Sequence, residues 1–121
     1  MGIFKKLFGD SDSKPKDIIE VTEETFEEEV RCSEIPVIVD FWSSTCSPCK
    51  VMSGLLREVA PQYRGKLKFA KLNIDRDSEV ARLYQIRSVP TIVAFKNGRP
   101  QDVHVGVLPL NQLNEWIDSK V

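Results

Sequence analysis

The chain has 121 residues, 41% of them hydrophobic and 29% charged, with 17 basic against 18 acidic side chains and a net charge of −1. That length suits one ordinary domain with a core of its own and excludes two. The charge balance argues against a general nucleic-acid or anionic-membrane binder, and no apolar run approaches the roughly 18 residues of a membrane span.

Residues 1–16 read as a flexible N-terminal extension and residues 17–121 as the domain. The first segment carries a short apolar stripe, Ile3, Phe4, Leu7 and Phe8, around Lys5 and Lys6, and then the polar GDSDSKPK. It has neither a secretory h-region nor the Ser or Thr that a myristoylation pattern needs at position 6. Membrane contact by this segment is not expected. A mobile tail or a small docking element are both open readings, since two helical turns do not hold alone in water.

From Asp17 the pattern becomes regular. Ile18, Ile19 and Val21 suggest a strand. Thr22 can cap a helix with Glu23 and Glu24 in its first turn, Phe26 and Val30 inward and glutamates 27 to 29 outward. Pro36 to Trp42 is apolar and β-branched without alternation, as a strand buried on both faces reads. Val51, Met52, Leu55, Leu56, Val59, Ala60 and Tyr63 then recur at helical spacing, in a helix starting near Cys46. A strand over 67–74, a helix over 78–84 capped by Ser78, and a strand over 91–95 follow. Asn97-Gly98 signals a hairpin, with Val103 and Val105 alternating in its second arm. An amphipathic helix over 110–117 closes the chain. The order is βαβαβαββα. Its first half requires parallel pairing through crossovers, and its closing hairpin makes the sheet mixed.

Chemistry concentrates at Cys46-Ser47-Pro48-Cys49, where a buried strand gives way to a helix. The free N–H groups and dipole of a helix N-terminus favour a thiolate on Cys46, the attacking species in disulfide exchange. Two intervening residues bring Cys49 back beside it, one turn deeper, placed to resolve a mixed disulfide. Pro48 fits the first turn and stiffens it. Half of a zinc site is the alternative, but Cys32 and His104 are single residues in separate elements and make no second ligand pair. The redox group expected is therefore the cysteine pair itself, with no cofactor or metal.

Asp40 shares a strand face with Ile38 and Trp42, under the cysteine-bearing helix. A buried carboxylate needs a partner or a proton, and Lys71 on a neighbouring strand is a companion for it. It then serves as proton acceptor and donor for Cys49. A strand-end Asp held by backbone donors is the other reading. Ser88-Val89-Pro90-Thr91 precedes a buried strand, and spacing alone leaves the Val89–Pro90 bond trans or cis.

DFWSSTCSPCK, KFAKLNID, IRSVPTIVAFKNG and VGVL, in this order and spacing, resemble the thioredoxin family from Asp17 to Val121. The resemblance implies a three-layer α/β/α sandwich with a mixed five-stranded central sheet and four helices, and a cis Val89–Pro90 bond. It implies Cys46 as nucleophile, Cys49 as resolving cysteine, and Asp40 with Lys71 as the buried proton-transfer pair. Trp42, Val89, Pro90 and Gly106 match the flat surface that docks an extended client segment, with the main chain of Val89 pairing like an added strand. Implied partners are disulfide-containing client proteins and a reductase, either an NADPH-dependent flavoprotein or a ferredoxin-linked enzyme. Three departures stand out. Thr45 replaces a usual Trp on the docking surface, Ser47 replaces a usual Gly near the sulfurs, and Gly54 replaces a helix-kinking Pro.

Cys32 reads as a small buried hydrophobe at the end of the first helix, with a regulatory thiol as the minority reading. His104 is expected to face solvent. Three cysteines, one pair of them spaced for catalysis, fit a reducing, cytoplasmic compartment. The leading function is reduction of disulfides in client proteins by a monomer. A dedicated redox partner of one client and a non-enzymatic interaction module are the alternatives.

Overall fold

The computed structural model describes residues 16–121; the apolar stripe of Ile3, Phe4, Leu7 and Phe8 and most of the expected linker lie outside the described residues. Five strands form one sheet: β1 (Ile18–Glu20), β2 (Val37–Trp42), β3 (Lys68–Asn73), β4 (Thr91–Lys96) and β5 (Arg99–Val105). Their order is β1-β3-β2-β4-β5. β1 and β2 both pair with β3 in parallel, whereas β4 runs antiparallel to β2 and β5 antiparallel to β4. The mixed five-stranded sheet expected from the βαβ half and the hairpin half is the one observed. Asn97 and Gly98 take positive φ angles of 54° and 79° at the hairpin turn, the conformation that makes Asn-Gly a favoured pair there.

Helical elements cover both faces. They are α1 (Ser47–Val59), α2 (Ser78–Leu83) and α3 (Leu110–Asp118), with a 3₁₀ turn at Ala60–Tyr63 and a π-helical turn at Glu27–Arg31. No helix among the described residues is long and apolar enough to cross a membrane.

The alternation of β2 splits the core in two. Ile38 and Ile92 pack with Met52, Leu56 and Val59 of α1 and Leu113 and Ile117 of α3. Val37, Val39 and Phe41 pack on the opposite side with Phe26, Val30, Val80 and Phe95. Asp40 therefore falls on the Ile38 face, as its period-2 position requires. α1 runs unbroken through Gly54, so the missing proline leaves one continuous helix up to Val59.

Local readings failed where distant contacts decide. The first helix is not capped by the Thr22 side chain: Thr25 Oγ1 accepts from the Thr22 N–H at 2.9 Å, and the helical turn begins only after it. That turn closes with a bond from the Cys32 N–H to the Glu27 carbonyl, five residues back. The wide turn keeps Val30 inward and carries Cys32 to the surface, so Cys32 is exposed rather than buried, with Sγ 3.7 Å from Glu27 Oε2. Glu27 and Glu28 are solvated as expected, but Glu29 reaches back to Lys68 Nζ at 3.2 Å. The cap of α2 is Asp77, not Ser78, and the Glu79 N–H in its first turn is satisfied by Glu23 Oε2, 56 residues away. His104 is half-buried, while its neighbours Val103 and Val105 are exposed. The β4–β5 register sets His104 beside Ile92 on the Ile38 face and Val103 beside Val93 on the Val39 face.

Candidate active site

Strand β2 ends at Trp42, the loop Ser43–Thr45 turns the chain, and α1 begins at Ser47 with Cys46 as its N-cap. Cys46 and Cys49 are joined by a disulfide, with Cα atoms 5.3 Å apart. The Cys49 N–H donates to Cys46 Sγ at 3.1 Å. The cap that a Ser or Asp oxygen usually supplies is thus filled by sulfur, at the positive end of a 13-residue helix. When the disulfide is open, the same donor and dipole favour the Cys46 thiolate. The two sulfurs differ sharply in access: Cys46 is half-buried at the surface, whereas Cys49 is only 2% exposed.

The loop before Cys46 is held from outside. Asp75 Oδ2 accepts from Ser43 Oγ at 2.7 Å, and from the Ser44 N–H and Oγ at 3.4 Å each. Ser43 Oγ in turn accepts from the Thr45 N–H at 3.4 Å. Sequence reasoning assigned Asp75 no role, although it lies in the KFAKLNID block; its signal is the side-chain contact across 32 residues, which only the fold creates. Asp75→Ala should cost about 1–3 kcal/mol, the scale for a charged group whose hydrogen bonds are lost. A lowered urea midpoint at unchanged slope would show it, and an unchanged midpoint would rule the anchor out.

Val89 and Pro90 are joined by a cis peptide bond, in agreement with the resemblance. The Val89 carbonyl oxygen lies 3.7 Å from Cys46 Sγ. Gly106, at a positive φ of 96°, donates its N–H to the Pro90 carbonyl at 2.8 Å. Cys46, Val89, Pro90 and Gly106 are thereby brought together from three separate loops. Thr45, Ser47 and Pro48 surround Cys46 as exposed residues. Trp42 is half-buried and lines a groove with Cys49 and the Lys50, Ser53 and Arg57 face of α1.

Beneath this surface lies Asp40, 1% exposed, with Oδ1 unpartnered. It stands opposite Lys71 in the β2–β3 register. No backbone donor satisfies that oxygen, which removes the reading of an ordinary strand-end Asp. Burial raises the Asp40 pKa to about 7, and the Lys71 charge offsets only part of that rise. Lys71 does not close a salt bridge on it. Its Nζ sits 4.8 Å from the centre of the Trp42 ring, in cation–π contact. Among the described residues no cluster of three or more His, Cys, Asp and Glu side chains could hold a metal.

A family model described as Thioredoxin matches residues 17–119. The thioredoxin of Rickettsia bellii is 44% identical over 101 residues, covering 84% of this chain and 96% of the relative. Thioredoxin 1 of a Nostoc species is 42% identical over 100 residues, covering 83% and 94%. The thioredoxin of Pseudomonas aeruginosa is 40% identical over 104 residues, covering 86% and 96%. A cysteine pair at a helix N-terminus, on a mixed five-stranded sheet, is the chemistry and the frame these relatives lead one to look for: the chain belongs to the thioredoxin family and is a thiol–disulfide oxidoreductase.

Proposed function

We propose that this oxidoreductase reduces client disulfides by a two-step exchange in which Cys46 attacks and Cys49 resolves. The observation that carries the assignment is the contrast in access between the two sulfurs of one disulfide. In the first step the Cys46 thiolate bonds to one client sulfur, and the client's other sulfur leaves as a thiolate. In the second, Cys49 gives its proton to Asp40 and attacks Cys46 Sγ, and the first client sulfur departs. The client gains two electrons, its two departing thiolates take up one proton from water and one by way of Asp40, and the protein ends with the Cys46–Cys49 bond. Asp40 suits the acceptor role because a carboxylate with a pKa of about 7 both takes and returns a proton near neutrality. Lys71 tempers that value by its charge.

The docking surface in this proposal is Val89, Pro90, Gly106 and Trp42, with Thr45, Ser47 and Pro48 around the sulfur. The Val89 carbonyl beside Cys46 supports main-chain pairing with an extended client. Family membership brings disulfide-containing substrates and a thioredoxin reductase as partner. We assign the reductase to the NADPH-flavin or ferredoxin type, the working form to a monomer, the working unit to residues 17–121, and the compartment to the reducing cytoplasm.

Cys46→Ser should abolish reduction of a protein disulfide with dithiothreitol as the electron source. Residual turnover at the wild-type rate would sink the assignment. The reduction potential of the pair separates general from dedicated use: a value typical of disulfide reductases supports broad clients, and a markedly more oxidising one favours the single-client reading through Thr45 and Ser47.

A further inference from the structure

A groove of about 430 Å³ opens beside Cys49, with no wall from Val89; its walls include Trp42, Lys50, Ser53, Arg57 and Lys71. Three of these are cations and none of the lining residues is an acid. Lys50, Ser53 and Arg57 sit at i, i+3 and i+7 of α1, on one helix face. Lys71 rises from β3 on the opposite wall, over the Trp42 ring. Arg57 Nη1 donates to Ser53 Oγ at 3.1 Å, so the guanidinium folds back along α1 beside Gly54.

The ion pairs among the described residues use other cations: Arg31, Arg64, Lys68, Arg76, Arg82 and Lys120. Among the described residues, the three around the groove have no carboxylate within salt-bridge distance. Asp75, beside the Ser43 and Ser44 end, is already taken up by their donors. Asp40 lies buried below. On a chain with a net charge of −1, three positive charges without an ion-pair partner among the described residues, converging on one concavity next to Cys49, are a local exception.

We propose that this groove is a recognition subsite for carboxylate-bearing client segments, with Lys50 and Arg57 as its specificity-determining residues. The proposal builds on the reading of Cys46 as the attacking sulfur. A client held at Val89 and bonded to Cys46 has chain continuing past the sulfurs, and Asp or Glu side chains near the scissile cysteine can enter the groove. Each exposed charge pair is weak, but three cations share one anionic segment, and the effect adds at low salt.

The test uses three peptide disulfides with the same scissile bond and with Glu, Gln or Lys at the flanking positions. In about 10 mM salt the wild-type kcat/KM should be about three- to tenfold higher for the Glu peptide than for the Lys peptide. At about 0.5 M salt the ratio should fall toward one. Lys50→Gln with Arg57→Gln should flatten the ratio, Lys50→Glu with Arg57→Glu should invert it, and Arg57→Lys should keep it. The Gln-peptide rate should be the same in all of these proteins, which shows the redox site intact. A wild-type ratio of one at low salt, or a ratio the double variant leaves unchanged, would overturn the subsite. Failure of the wild type to reduce even the Gln peptide faster than Cys46→Ser would instead overturn the exchange assignment.

Discussion

Cys49→Ser should halt the protein halfway through its cycle, covalently joined to its clients. Cys46 would still attack, because its cap position at the head of α1 does not depend on the second sulfur. Release would then depend on an outside thiol. In the intact protein the Cys49 sulfur sits beside its target, and well-oriented intramolecular groups reach effective molarities of about 10⁵–10⁸ M. An external thiol at millimolar concentration is a poor replacement, so release should slow at least about a thousandfold. Non-reducing electrophoresis would show a ladder of protein–client adducts that dithiothreitol removes. Burial of Cys49 is what makes the trap one-sided: a sulfur 2% exposed cannot itself form the first bond to a protein client. Equal release from Cys49→Ser and wild type would reverse the roles.

Asp40→Asn should make the protein more stable at neutral and higher pH and slower in resolution. The carboxyl has an ordinary pKa of 3.8 and is raised by burial to about 7 in the fold. The folded state thus holds a proton that the unfolded chain has given up throughout that interval. Unfolding releases it, so stability falls as pH rises from about 4 to about 7, by up to about 4 kcal/mol in all. Above pH 7 both states are ionised and the full cost of a buried, weakly compensated carboxylate is present. Asn carries no such titration. Urea midpoints should fall with pH for wild type and stay level for Asp40→Asn, with the widest gap near pH 8 and little gap near pH 4. Loss of the proton acceptor should slow resolution about a hundredfold, and the inflection near pH 7 in its rate should disappear. Parallel pH profiles for the two proteins would show that Asp40 does not titrate in this range.

The parts legible in sequence are those governed by short-range periodicity. The apolar run at Val37–Trp42, the helical spacing from Met52 to Val59 and the Asn97-Gly98 turn each encode their element, and together they specify a parallel half and an antiparallel half. The cysteine pair was legible because its chemistry depends on a strand-to-helix junction four residues long. Period-2 geometry placed Asp40 on the correct face. What sequence missed depends on partners far along the chain. Cys32 was expected inside because free thiols often are, but a five-residue backbone bond at Glu27 sends it outward. His104 was expected outward by alternation with two valines, but its face is fixed by the register with Ile92. Asp75 tethering the loop before Cys46, and Arg57 facing Lys71 across a groove, are contacts between α1, β3 and their loops that no local pattern announces.

The direction of the strands also settles how this domain can be attached to something else. β1 is parallel to β2, and β2 carries the cysteines at its far end, so the chain enters the sheet at the pole opposite the disulfide. The last helix returns to that same pole: Ser119 and Lys120 share a shallow pocket with Pro36 and Lys96, at the start of β2 and the end of β4. The first strand and the last helix therefore both end their described course at the back of the domain. A surface, a second domain or a resin joined after Val121 leaves the sulfurs turned outward, as free to meet clients as in the untethered protein.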